Sequence, residues 1–229
     1  MQVYNFPAGQ KKDAEVSDER KKFKRESAES RQEALILATL ELVAEHGVRG
    51  ATVRGIAERA DVTQGLIRHY FSSKEELIIA AYEHHMNQMT DLTFAPGAAK
   101  GTARARLRAF VDGSLTPPVV DPRSLALWAS FLNKVQNDPQ MKETHERTYA
   151  YFRDQLEEVI AAAYDEAGIP APAARVRQLA IACNAVIDGL WLEGGALPDA
   201  FAPGELVEIG RQSVAAILGL DLEQEAEKP

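Results

Sequence analysis

The chain has 229 residues, 45% apolar and 26% charged, with a net charge of −8, enough to bury a core without covalent staples. Its single cysteine, Cys183, excludes an internal disulfide framework and a cysteine-based zinc site, and fits a reducing compartment. No apolar run approaches the length of a membrane span, and the N-terminal stretch lacks the apolar segment of a secretory leader, so a cytoplasmic protein is expected.

The acidity is uneven. Residues 1–85 hold 13 Lys/Arg against 14 Asp/Glu, whereas residues 86–229 hold 13 against 20. The net charge therefore does not exclude a nucleic-acid-binding face on the first part. Within it, the basic run RKKFKR, residues 20–25, reads equally as a solvated arm or as an arm that contacts DNA.

The first clear amphipathic helix carries Ile36, Leu37, Leu40 and Val43 and should stop at Gly47. A short helix follows, capped by Thr52 and ending near Ala60, and a second runs from a Thr63 cap to about Phe71. Ser73 to Glu76 has the form of a capping box and opens a longer helix that Pro96-Gly97 breaks. Beyond it the pattern predicts helices over 100–115, 122–136, 139–167, 172–193 and 204–218, with a frayed tail. The expected class is all-α, divided into a flexible basic arm (1–29), a three-helix head (30–75), a larger helical body (76–220) and a disordered tail (221–229).

Two short helices joined by ADVT make a helix-turn-helix candidate. Ile56, Ala57, Val62, Ile67 and Tyr70 are spaced to close a small core, and Asp61 stands where a turn glycine is usual, a position aspartate tolerates. The second helix then turns Gln64, Gly65, Arg68 and His69 outward from its N-terminal half. These side chains suit base edges: arginine bonds guanine bidentately, glutamine pairs with adenine, and glycine permits close approach. Lys74, at the start of the next helix, is placed for phosphate.

The block from Arg31 to Tyr82, with HYFSSKEEL at its most specific point, resembles the DNA-binding domain of the TetR family of bacterial repressors. GLIRHYF, together with VIDGLWLEGG later in the chain, is similar to the BetI-like subgroup, whose named member answers to choline. The resemblance implies that Thr52 and Arg54 touch phosphate or the groove edge. It implies that Thr63, Gln64, Gly65, Arg68 and His69 approach bases, and that Tyr70 and Lys74 hold the DNA backbone. Tyr70 reads equally well as core. Leu66 and Arg68 stand where the family often has a hydroxyl residue and a tyrosine, so Leu66 could meet a thymine methyl instead.

The resemblance further implies a body that holds an inducer and dimerises through its last two helices. Leu179, Ala182, Val186 and Leu190 on one helix, and Leu206, Ile209, Val214 and Ile217 on the other, form apolar faces for a homodimer. The alternative is a single intrachain core. A two-fold dimer would set two reading helices about 34–36 Å apart, matching a palindromic or pseudo-palindromic operator in double-stranded DNA.

Phe110, Trp128, Phe131, Tyr149, Phe152 and Trp191, with Asn184 and Asp188, are candidates for an aromatic cage around a quaternary ammonium inducer, or else ordinary core. His84 and His85 could reach a ligand from the fourth helix, although adjacent residues point to different faces. No nucleophile elbow, Walker loop, dinucleotide fingerprint or zinc-protease motif occurs, so no catalytic residue, metal or cofactor is expected. The expected function is a ligand-released transcriptional repressor. An activator of the same fold, or a helical small-molecule-binding protein or enzyme without DNA, are the alternatives.

Overall fold

Side-chain oxygens start six of the helices. Thr52 and Thr63 accept from the backbone N–H groups of Gly55 and Leu66 at 3.1 and 3.3 Å, and Ser73 accepts from that of Glu76 at 3.0 Å. Thr102 caps in the same way through Ala105. Asp121 and Asp138 cap two more, each followed by a proline whose missing N–H costs nothing at the first helical position. The capping box at Ser73 is displaced by one residue, because Glu76 reaches back to the N–H of Ser72 at 2.7 Å.

The computed structural model describes residues 10–95 and 101–222, with side chains from Ala28 onward. Among these residues no strand forms. The helices are α1 (Gln10–Gly50), α2 (Val53–Arg59), α3 (Gln64–Tyr70), α4 (Lys74–Phe94), α5 (Ala103–Ser114), α6 (Pro122–Asn137), α7 (Pro139–Glu166), α8 (Ala173–Ala196) and α9 (Glu205–Leu218). The backbone of α1 is helical from Gln10, well before its apolar periodicity begins. The side chains of the basic run at 20–25, the Pro96-Gly97 break and residues 223–229 lie outside the described residues. Gly47 kinks α1 with φ 69° and ψ 172°, where a side chain would be strained. Asp61 takes the left-handed turn position at φ 53°.

Two apolar cores result. The head core gathers Leu35, Val43, Ile56, Ala57, Ile67, Phe71, Leu77 and Tyr82, but it does not stop at the third helix. It continues into Leu127, Phe131 and Val135 of α6 and Met141 of α7. The body core joins α5, α7, α8 and α9 through Leu107, Phe110, Leu156, Ile160, Leu179, Cys183, Ile187 and Val214. Burial pushes the Cys183 thiol up to about 12, so it is inert packing. A bidentate pair from Arg211 to Asp112, both bonds 2.6 Å, ties α9 to α5. Gly113 brings α5 directly onto α4: a Cβ there would lie 2.6 Å from the backbone oxygen of Thr93.

α4 belongs to both units. Its first turns bury Leu77, Ile78, Ala81 and Tyr82, and its later turns bury His85, Thr90 and Thr93. At 1.5 Å per residue it spans about 30 Å, a rigid rod from head to body. α8 is long and apolar enough by length and composition to cross a membrane, but only a third of that window is buried in the chain.

Candidate DNA-reading face and ligand cavity

α3 presents Gln64, Gly65, Arg68 and His69 to solvent, with Ile67 turned into the head core. Among the described residues Arg68 makes no ion pair, whereas Arg59 nearby is held by Glu41 and Glu45 at 2.9 and 2.8 Å. Arg54 lies exposed at the start of α2 and donates to Glu58 at 2.8 Å. Thr52 and Thr63 are exposed caps whose hydroxyl oxygens already accept within their own helices. Tyr70 is half-buried against the head core, with its ring edge-on to His69 at 5.1 Å. Lys74 turns back instead of outward: its Nζ lies 3.4 Å from the carbonyl of Val48. To hold phosphate it would have to leave that carbonyl.

In the body, α4, α6, α7 and α8 surround a cavity with about 670 Å³ of unfilled space, its open mouth included. Trp128, Tyr149, Phe152, Asn184, Asp188 and Trp191 of the sequence-derived set all line it. The two indoles meet edge to face at 5.8 Å and 78°, making a right-angled corner. Trp191 is fixed there by donating Nε1–H to the carbonyl of Val119 at 2.7 Å. Phe110 and Phe131 do not reach the cavity. Phe110 stacks under Phe94 and Phe152 in the body core, and Phe131 packs on Tyr82 at 5.0 Å in the head core. Large aromatics at helical spacing give no signal that separates wall from core.

Of the fourth-helix histidines that could reach a ligand, His85 lines the cavity, and Met86, Met89, Thr90 and Thr93, which the sequence did not single out, complete that wall. Polar His85, Thr90 and Thr93 on an otherwise apolar buried face were the available clue. Thr90 and Ser114 turn their hydroxyls to the carbonyls of Met86 and Phe110, at 3.0 and 2.8 Å. Burial, with a smaller effect from His84, pushes His85 down to about 4, so it is neutral near pH 7. The lining has one carboxylate and no lysine or arginine. That carboxylate, Asp188, accepts from Asn184 at 2.9 Å. Surrounding protein pushes it up to about 6, although one side of the residue faces solvent.

Three polar contacts tie α4 to α7. The Tyr82 hydroxyl and His145 Nδ1 share a hydrogen bond, Glu83 pairs with Arg147 at 2.8 Å, and Tyr151 donates to Asp91 at 3.1 Å. The His145 ring in turn lies 4.4 Å from that of Tyr149, a cavity wall. Tyr82 therefore touches Phe131 of the head core on one side and, through His145, the cavity on the other.

The expected dimer faces need correction. Leu179, Leu206 and Val214 are buried inside the chain, and Leu190 and Ile217 pack against the same core. The apolar side chains that α8 and α9 leave outside are Ile181, Leu192 and Ile209. Among the described residues no cluster of potential metal ligands occurs.

A profile described as bacterial regulatory proteins, tetR family, matches residues 35–81, and one described as BetI-type transcriptional repressor, C-terminal, matches residues 103–219. The chain belongs to the TetR family, in its BetI-type branch. The HTH-type transcriptional regulator BetI of Burkholderia thailandensis is 32% identical over 168 residues, covering 72% of this chain and 82% of that one. A transcriptional regulator from Pseudomonas aeruginosa PAO1 superposes with a TM-score of 0.74 at 33% identity, over 83% of this chain and 91% of that one. A regulator from Saccharomonospora viridis, solved in complex with choline, shares the fold: TM-score 0.66, 18% identity, 83% and 96% coverage. This TetR-family protein is a DNA-binding transcriptional regulator, with α3 as the second helix of its helix-turn-helix.

Asp188 gives the cavity a measurable signature. Its folded carboxyl titrates higher than in the unfolded chain, so the folded state holds the extra proton between the two values and loses stability as pH rises through that window. Asp188→Asn should therefore be more stable than the parent above about pH 6. The difference should vanish once pH falls below the ordinary aspartate range, about 4. Urea titrations at a series of pH values check this, and equal stabilities at pH 7.5 would contradict it.

Proposed function

We propose that this regulator is a homodimeric repressor that leaves its operator when a small organic cation, most specifically a quaternary ammonium compound, fills the cavity. The observation that carries the reading is the Trp128–Trp191 corner with Asp188 and Asn184 beside it. A methylated ammonium cannot donate a hydrogen bond. It is held by ring faces, at about 0.5–2 kcal/mol each, and by one negative charge. A neutral His85 removes the repulsion that an imidazolium would add. The choline bound by the Saccharomonospora regulator and the BetI-type relatives support the same ligand class.

Release of DNA would follow from α4. A ligand that presses on Met86, Met89 or Tyr149 acts on the helix whose other end is packed in the head, and through the Tyr82–His145 contact. Only a difference in affinity between free and DNA-bound forms can drive the switch, and about 1–3 kcal/mol of coupling suffices for one. In a two-fold dimer the tilt of α4 would alter the separation of the two α3 helices. The exposed Ile181, Leu192 and Ile209 are the surface that such a dimer would cover.

On the DNA side, the exposed and unpaired Arg68 is proposed to carry specificity and Lys74 affinity. Arg68→Ala should cost about 1–3 kcal/mol on the operator and relax preference at one base pair. Lys74→Ala should weaken all sequences alike and flatten the dependence on salt. Competition titrations decide, and unchanged discrimination by Arg68→Ala would contradict the assignment.

On the ligand side, calorimetry should show choline binding that releases the operator in a gel shift. A bound cation favours ionised Asp188, so affinity should fall roughly tenfold per pH unit below about 6, until the bound carboxyl itself titrates. Trp128→Ala should weaken binding by about 0.5–2 kcal/mol. No heat with choline, or binding indifferent to both pH and Trp128→Ala, would remove the cation reading and leave the DNA-binding role standing.

A further inference from the structure

The cavity does not end at its mouth. Tyr149, Phe152 and Asn184 wall it on one side and, on the other, wall a groove that adds Arg153 and Ile181. Tyr149, Phe152 and Arg153 have the spacing that places them on one face of α7, and Ile181, Asn184 and Asp188 share a face of α8 in the same way. The two helices run antiparallel along this seam. Burial, and then the charge of Asp188, push the Tyr149 phenol up, which sets Tyr149 opposite Asp188, while Glu157 pairs with Arg177 at 3.8 Å. Arg153 lies midway between Tyr149 and Glu157 and so faces the stretch from Ile181 to Asn184. It stands one turn, about 6 Å, from the level of Asp188.

Arg153 is uncommitted. It is half-buried, and among the described residues it makes no hydrogen bond or ion pair. The carboxylate one turn along its own helix, Glu157, turns to Arg177 instead. Nor is Arg153 spent on Asp188, whose titration is set by burial and by the Asn184 amide. Asn184 gives one N–H to Asp188 and has a second to offer. The seam therefore holds a negative charge beside the indole corner, a positive charge one turn away, and an amide donor between them.

We propose that the ligand is a zwitterion: a quaternary ammonium seated at the Trp128–Trp191 corner beside Asp188, with a carboxylate several bonds away that reaches past Asn184 to Arg153. This rests on the cation reading of the cavity and adds a second charged subsite to it. A guanidinium donates two parallel N–H bonds to a carboxylate, which fixes both its charge and its orientation. A carboxylate attached close to the ammonium, as in betaine, would stay at the level of Asp188 and be repelled by it. A spacer of about three carbons carries it the one helical turn to Arg153.

Calorimetry with choline, betaine, γ-(trimethylammonio)butyrate and the primary amide of that butyrate tests this. The parent protein should bind the butyrate roughly tenfold tighter than choline, and betaine more weakly than choline. The amide keeps the shape and loses the charge, so it should match choline. Arg153→Gln should bring the butyrate down to the level of choline and leave choline and operator affinities as in the parent. The amide comparison needs no variant, so it decides even if Arg153→Gln does not fold. Choline binding with no preference for the butyrate, an amide bound as tightly as the butyrate, or a preference that survives Arg153→Gln overturns the proposal and leaves the cation reading in place. No heat with any of the four removes both.

Discussion

A single helix has to satisfy two environments. The first turns of α4 are held in the head core by Leu77, Ile78 and Tyr82, and its later turns carry His85, Met86, Met89 and Thr93 to the cavity. A helix bends little over about 30 Å, so a displacement at one end is felt at the other. The head core also runs on into α6 and α7 through Phe131 and Met141, which means that the reading helix is not on a loose hinge. The molecule is built to have its head position decided by how the body packs. That is the structural requirement for a ligand to act on DNA binding without touching DNA.

The described lining of the cavity has a single carboxylate. Asp188 carries a carboxyl pushed up to about 6, and its one described partner is the amide of Asn184. A bound cation would favour the ionised form of Asp188, which would tie ligand affinity to the titration of that carboxyl. The hydroxyls of Thr90 and Ser114 are spent on their own helices, and His85 is held neutral by burial. What remains in the lining is aromatic surface, thioether, the aliphatic side chains of Val119 and Ile187, Thr93, Asn184 and one carboxylate.

The local rules of the sequence carried a long way. Thr52, Thr63 and Ser73 cap where hydroxyl oxygens ahead of apolar periodicity say they should, and Asp61 takes the turn conformation expected of it. Helices α5 to α9 begin and end within a few residues of the predicted spans. Tertiary choices were less legible. Apolar residues surround α8, so periodicity cannot say which face is intrachain, and Leu179 was assigned outward while Ile181 is the one left exposed. Phe110 and Phe131 have the same character as Trp128, and only packing distinguishes a wall from a core. The Tyr82–His145 contact joins residues 63 positions apart, a pairing no spacing rule reaches.

That contact links a head-core ring to a neighbour of the cavity wall, and its removal tests the switch directly. Tyr82→Phe keeps the ring on Phe131 but loses the bond to His145. Operator affinity should be measured for the parent and for Tyr82→Phe, each without choline and with the site saturated. The account predicts that the ligand-free operator affinity and the choline affinity stay close to those of the parent. The drop in operator affinity on saturation, within the roughly 5–150-fold range of such couplings in the parent, should collapse toward no change in the variant. A variant that binds choline and releases operator by the same factor as the parent would contradict transmission through α4 and its bond to α7.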